Sequence, residues 1–283
     1  MIKTVKTKVF GKINVGLNVL GKNGGYHDLD TVVATVNLYD VITVTTRRDK
    51  AVNLSARGFS SQIPLADNNV YKAAAAFIEK YSTYGADVSL VKNIPAGSGL
   101  GGSSADIVGV IKGMAKAYGI TDDLKPLINS LCSDGEFLLE GGFARINGKG
   151  SVAEKFSVPK PLYLTIAVPD DCVSATSSVF EKFDSGAFEG VGADINGIVN
   201  TLKNGGFVKG EVFNALYAPA ADLNVGIKTI YEKMKSLNPV FVSMSGSGSA
   251  VYGCFESVEL CMWAKEKTER FCKTVYVKET INP

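Results

Sequence analysis

Between residues 95 and 106 the chain reads Pro-Ala-Gly-Ser-Gly-Leu-Gly-Gly-Ser-Ser-Ala-Asp, and the segment after it is at once apolar. Gly97, Gly99, Gly101 and Gly102 let consecutive backbone N–H groups curl around an anion without Cβ clashes. Ile107, Val110, Ile111 and Met114 recur at helical spacing and should face a core. The tract therefore lies where a helix presents its positive N-terminus, the natural place for a phosphate. A solvated linker would not run directly into so apolar a helix. Ser103 and Ser104 add hydroxyls that can bind phosphate oxygens or a magnesium ion.

Two familiar motifs fail here on context. Gly97, Gly99 and Gly102 match GxGxxG, but a dinucleotide fold also needs a βαβ unit and an acidic residue about 20 positions on, at the end of a second strand. Asp122 and Asp123 are near that distance, yet they stand at a helix start. A Walker A loop requires Lys where this chain has Ser103. A second tract, Met244-Ser-Gly-Ser-Gly-Ser249, leads into the apolar Ala250-Val-Tyr-Gly253. A hairpin turn accounts for it equally well on its own. Taken with the first tract, it suggests two loops closing on one phosphorylated ligand.

Composition narrows the chemistry further. The net charge is +2, from 30 Lys+Arg against 28 Asp+Glu, which gives no electrostatic case for nucleic acid or a membrane. There is one histidine, His27, in 283 residues, so sites needing two or more are excluded. Five cysteines with no CxxC pair argue against a disulfide framework or a structural zinc site, and for free thiols in a reducing compartment. Residues 1–10 lack the apolar run of a signal peptide, and no apolar run reaches the ~18 residues of a membrane span. The expectation is a soluble, cytoplasmic protein.

Strands are expected at 4–10, 13–20, 29–37, 40–46, 52–55 and 88–91. A helix should begin at Asp67-Asn68, with either residue as its cap, and others should cover 105–118 and 124–131. A strand at 143–147 closes the first half. Val158-Pro159-Lys160-Pro161 reads as a stiff connector. Beyond it come strands at 163–168 and 274–277, helices at 177–183, 193–202, 221–237 and 257–272, and a strand–loop–strand over 240–255. This mixture predicts an α+β protein of two domains, 1–158 and 159–283.

The two Gly/Ser tracts, with Gly11-Lys-Ile-Asn-Val-Gly-Leu17 near the N-terminus, resemble the three signature motifs of the GHMP kinases, in the family's order and across nearly the whole chain. Lys12-Ile-Asn14, Gly25-Tyr26-His27 and Asp67-Asn68-Asn69-Val70-Tyr71-Lys72-Ala73 are similar to the family's cytidyl-sugar-alcohol branch. The resemblance implies an N-terminal domain like ribosomal protein S5 domain 2, a ferredoxin-like C-terminal domain and an active site in the cleft between them. It implies ATP and Mg2+ as cofactors. It also implies transfer of phosphate to the 2-hydroxyl of 4-diphosphocytidyl-2-C-methyl-D-erythritol, in the non-mevalonate isoprenoid pathway. The partner is a small molecule, with no nucleic acid or membrane, and the chain would be a monomer or a homodimer.

The same resemblance suggests roles residue by residue. Asp134 would accept or orient the substrate hydroxyl, and Lys12 would lie beside it and counter the charge of the transferring group. Asn14 would bind the methylerythritol hydroxyls. Tyr26 and His27 would meet the cytosine, with Thr176 and Phe180 completing that pocket. Asn68, Pro95, Gly97, Ser98, Gly99, Leu100, Gly101, Gly102, Ser103, Ser104, Gly246 and Ser247 would hold ATP, and Ser104 would meet the metal. The chain departs from the family at Gly11, at the Gly101-Gly102-Ser103-Ser104 loop and at Gly135-Glu136 after Asp134. Glu136 could repel ATP, bind magnesium or point to solvent. A kinase of homoserine or mevalonate type, or a nucleotide-binding paralogue without turnover, would share most of these features.

Overall fold

In a computed structural model, residues 2–58, 67–148, 150–170 and 175–282 are described. Along the chain they form β1 (Thr4–Asn23), β2 (Tyr26–Thr46), β3 (Val52–Gly58), α1 (Asn69–Tyr81), β4 (Ala86–Lys92), α2 (Gly102–Tyr118), α3 (Lys125–Leu131) and α4 (Gly135–Glu140). These are followed by β5 (Phe143–Gly148), β6 (Ser151–Phe156), β7 (Tyr163–Val168), α5 (Thr176–Ser185), α6 (Ile195–Lys203) and β8 (Gly210–Glu211). The chain ends with α7 (Tyr217–Leu223), α8 (Val225–Lys235), β9 (Phe241–Met244), β10 (Val251–Phe255), α9 (Val258–Thr268) and β11 (Thr274–Glu279).

The residues gather into two compact units that interleave in sequence. One comprises Met1–Gly11, Leu38–Ala96 and Gly101–Glu140; the other comprises Lys12–Asn37, Gly97–Leu100 and Gly141–Pro283. In the first unit, the second half of β2 pairs antiparallel with β4, and β4 pairs parallel with β3. The crossover between β3 and β4 carries α1, as a parallel pair requires. Val9, Ile42, Val44, Phe77, Val88, Ile107, Ile111 and Met114 are buried in this unit's core. Helix α2 approaches the strands closely at Gly109, where a Cβ would stand 2.6 Å from Val9 and from Ile42. After α2 the chain continues into α3 and α4, not into a second parallel strand, so the GxGxxG match lacks its dinucleotide context.

In the second unit, five strands run in the order β11-β7-β10-β9-β8. The first half of β2 pairs with β5, and β5 with β6. A core that includes Leu17, Ala167, Val179, Ile227, Met234, Val242, Phe255 and Ala264 sits against the five-stranded sheet.

Several expected boundaries shift. The pairs of strands expected at 4–10 and 13–20, and at 29–37 and 40–46, are each one continuous strand, β1 and β2. The expected helix over 221–237 is two helices, because Asn224 leaves the helical conformation and its side chain accepts the Gly226 N–H as the cap of α8. Helix α2 starts at Gly102 rather than 105, which puts both serines in its first turn. The short elements α4, β6 and β8 were not expected. Val173 and Ser174 of the expected cytosine tract, and Cys172, lie outside the described residues. Cys254, Cys261 and Cys272 are buried free thiols and Cys132 is half-buried. Burial pushes the Cys261 and Cys132 thiols up to about 11.

Candidate active site

Strand geometry brings Lys12 and Asn14 to one face of β1, since residues two apart point the same way. Both are buried, at 6% and 4% exposure. Lys12 Nζ donates to Asn14 Oδ1 at 2.6 Å, Asn14 Nδ2 donates to Thr31 Oγ1 at 3.0 Å, and Thr31 Oγ1 donates to the Gly16 carbonyl at 2.6 Å. The Asn14 carbonyl accepts from the buried Tyr252 hydroxyl at 2.7 Å. A buried ammonium is tolerated only where acceptors replace its water, and Asn14 Oδ1, held by this ladder, is one of them.

The two Gly/Ser tracts meet beside this ladder, within the second unit. Ala250 N–H donates to the Ser98 carbonyl at 2.9 Å, Ser249 N–H to Gly97 at 3.3 Å, and Ser245 Oγ to the Gly99 carbonyl at 2.9 Å. Lys12 N–H donates to the Leu100 carbonyl at 2.9 Å. At Gly246 a Cβ would fall 3.2 Å from Lys12 Nζ, 3.4 Å from Asn14 Oδ1 and 3.4 Å from the Gly99 carbonyl oxygen. The structure thus brings together Lys12, Asn14, Ser98, Gly99, Leu100 and Gly246. Ser247 joins them, with its hydroxyl 3.0 Å from that of Thr176.

The rest of the first tract belongs to the other unit. Gly101 is left-handed at φ +75° and precedes α2 without a side-chain cap, so the first N–H groups of the helix have no intrahelical partner. Ser103 Oγ accepts from Asn69 Nδ2 at 2.6 Å, and the Ser104 hydroxyl bonds the Cys132 thiol. Asn68 caps α1, its Oδ1 accepting the Val70 N–H at 2.9 Å. Pro95 is buried. Asp134 is half-buried in the turn between α3 and α4, where its carbonyl accepts the Leu138 N–H. Glu136 pairs with Lys125 at 3.2 Å, and Lys125 pairs with Glu140 at 2.5 Å, so the charge that departs from the family is neutralised within its own unit.

Beneath the start of α2 is a group that the sequence reading missed. Lys92, 7% exposed, is bound to Asp40 and lies 2.8 Å from Asp106 Oδ2. Asp40 Oδ1 also accepts the N–H groups of Asn93 at 2.5 Å and Ile94 at 2.8 Å. Burial pushes the Asp106 carboxyl up to about 7, against the opposing pull of Lys92. The signal was present: Ala86, Val88, Leu90 and Lys92 share the buried face of β4, and an inward lysine needs a partner.

At the β1–β2 hairpin, Tyr26 is 66% exposed, and His27 stacks on Phe180 with ring centroids 4.4 Å apart. His27 also meets Asp184, a residue the sequence reading did not single out.

Residues 68–142 match the model of the GHMP kinase N-terminal domain. The 4-diphosphocytidyl-2-C-methyl-D-erythritol kinase of Clostridium beijerinckii is 30% identical, over 98% of this chain and 100% of its own length. That of Prosthecochloris aestuarii is 30% identical over 90% and 91%. This chain belongs to that family of GHMP kinases. A crystal structure of 4-(cytidine 5'-diphospho)-2C-methyl-D-erythritol kinase superposes with a TM-score of 0.79 at 27% identity, covering 98% of this chain and 99% of that one. A homoserine kinase from Cytophaga hutchinsonii, 20% identical with a TM-score of 0.71, shares the fold. The α+β GHMP kinase fold is therefore established for the chain, as is its class, a phosphotransferase with an alcohol acceptor. Membership of a kinase family carries ATP use with it. Among the described residues no helix is long and apolar enough to cross a membrane.

Proposed function

We propose that this chain transfers the γ-phosphoryl group of ATP to the 2-hydroxyl of 4-diphosphocytidyl-2-C-methyl-D-erythritol, a step of the non-mevalonate isoprenoid pathway, in the cytoplasm. The observation that carries the reading is the meeting of both Gly/Ser tracts with buried Lys12 and Asn14, where the missing Cβ of Gly246 lets the second tract close on the ammonium. In this reading the N–H groups of Gly97, Ser98, Gly99, Leu100, Gly101 and Gly102 and the first turn of α2 cradle the phosphates. Ser103, Gly246 and Ser247 complete the cradle, with Asn68 and Pro95 toward the adenine.

Phosphoryl transfer through a loose transition state asks for positioning and charge compensation more than for a strong base. Asp134 accepts the hydroxyl proton, Lys12 stabilises the developing charge and Asn14 orients the acceptor. Tyr26, His27, Thr176 and Phe180 hold the cytidyl group. The Ser104 hydroxyl fits Mg2+, an ion bound chiefly through nucleotide phosphates with one or two protein oxygens. Among the described residues no cluster of three His, Cys, Asp or Glu side chains could hold a metal by itself, which suits that mode. Bound there, the ion would neutralise phosphate charge. The division into residues 1–158 and 159–283 belongs to the same proposal.

Purified protein given ATP, Mg2+ and the cytidyl substrate should release ADP in a coupled assay. Turnover of homoserine or mevalonate with none of the cytidyl compound would overturn the assignment.

A further inference from the structure

The β1–β2 hairpin and α5 bring Lys22, His27 and Asp184 together in the second unit. Asp184 Oδ1 lies 2.7 Å from His27 Nε2, and Asp184 Oδ2 accepts from Lys22 Nζ at 2.6 Å. The imidazole is stacked on Phe180 and meets Phe183 edge-on at a centroid distance of 6.2 Å, so its plane and its direction are both fixed. The other ring nitrogen, Nδ1, has no hydrogen-bond partner among the described residues.

An ionised carboxylate can only accept hydrogen bonds. Lys22 and, after it, His27 hold the Asp184 carboxyl below the ordinary carboxylate range. The proton in the Asp184–His27 contact therefore belongs to the imidazole. A neutral ring that carries its proton on Nε2 has a bare lone pair on Nδ1.

Resting on the cytidyl reading above, we propose that Asp184 is a positioning residue for specificity: by fixing the Nε2–H tautomer of His27 it presents Nδ1 as an acceptor, selecting a pyrimidine with a 4-amino group over one with a 4-oxo group. The exocyclic amine of cytosine donates to that lone pair. The O4 of uracil, itself an acceptor, would face it unpaired. The opposite tautomer would reverse the preference, so the choice of base follows from a residue that need not touch it. Lys22 contributes by holding the Asp184 carboxylate in place through its other oxygen.

One histidine in the whole chain makes the test direct, because nitrogen-15 NMR of the imidazole gives one pair of ring signals. At pH 8.5 the wild-type protein should show a protonated Nε2 and a bare Nδ1, and Asp184→Ala should show a mixture. Calorimetry with CDP and UDP, with ADP saturating the phosphate loops, should give a CDP preference that falls at least about tenfold in Asp184→Ala, the cost of one mispaired buried acceptor. Asp184→Glu should restore it. Wild-type protein that prefers CDP but carries the Nδ1–H tautomer overturns this proposal alone. An unchanged CDP-to-UDP ratio in Asp184→Ala does the same. Wild-type protein that binds neither nucleotide overturns the cytidyl reading, and this proposal with it.

Discussion

Gly99 is the residue through which the first Gly/Ser tract touches the second, and replacing it by Ala measures what that contact is worth. Gly99 is left-handed at φ +74°, and an added Cβ would stand 2.0 Å from the Ser245 carbonyl oxygen and 2.9 Å from that of Gly248. Both are backbone atoms, so no side chain can swing aside. Restoring even a 3.0 Å contact parts the tracts by 1.0 Å. That movement carries the 2.9 Å bonds from Ser245 Oγ to Gly99 and from Ala250 to Ser98 out of hydrogen-bonding range. The left-handed backbone costs about 1 kcal/mol, and the two bonds about 1 kcal/mol each, for a sum of about 3 kcal/mol. For a chain of this size that lowers Tm by about 6–10 °C.

Gly119→Ala isolates the backbone part. Gly119 has φ +73° and nothing within 4 Å of its Cβ position, so it should lose only about 1 kcal/mol. Differential scanning calorimetry of the two variants gives the steric difference, and an ADP-release assay gives the functional one. Gly99→Ala should raise the KM for ATP at least about tenfold, because the displaced N–H groups no longer converge on the phosphates, while Gly119→Ala should leave it unchanged. A Gly99→Ala variant that melts with Gly119→Ala and keeps its ATP KM would refute the close approach as the reason for this glycine.

Three further outcomes follow from the site. Asp134→Asn should lower kcat by about 10²–10⁴-fold while ADP affinity, read by calorimetry, stays within about twofold. His27→Ala should raise the KM for the cytidyl substrate with kcat little changed, and unchanged kinetics would remove His27 from the site. Asp106 has a folded-state pKa of about 7, above its unfolded value of 3.8, so the folded form binds the extra proton. Its contribution to stability is full below about pH 4 and is lost as pH rises through 7; the Tm of the ligand-free protein should fall over that range, and Asp106→Asn should flatten the fall.

Much of this was legible because glycine and hydrophobic period carry strong local constraints. The apolar face of α2 and the strand β7 were readable from the local pattern, and the start of α1 from Asp67-Asn68, of which the structure uses Asn68 as the cap. Lys12 and Asn14 stood out only through their motif, since strand alternation does not distinguish a buried lysine from a surface one. The breaks expected in β1 and β2 came from reading Gly11 and Leu38-Tyr39 as interruptions. Inside β1 the glycine that matters is Gly16, where a Cβ would stand 2.7 Å from Ile198, so the residue admits a neighbour rather than ending a strand. Asp184 could not be found, because it meets His27 across 157 positions and no local pattern marks it.

A tract with four glycines in six residues would sample many conformations in isolation, each residue losing about 1–2 kcal/mol of backbone entropy on being fixed. A phosphate cradle that had to be ordered by its ligand would lose affinity by that amount. The fold removes the cost before the ligand arrives. Asp40 fixes the two N–H groups just upstream and ties Lys92 to it, while Lys92 reaches Asp106 near the start of α2. Between these anchors, the carbonyls of Gly97, Ser98, Gly99 and Leu100 are all taken by hydrogen bonds within their own unit. With the carbonyls occupied, the tract is tied along its length. The glycines are then needed for shape, and the buried Asp40–Lys92–Asp106 group at the two ends of the tract, with the bonded carbonyls between, lets so flexible a sequence hold one geometry.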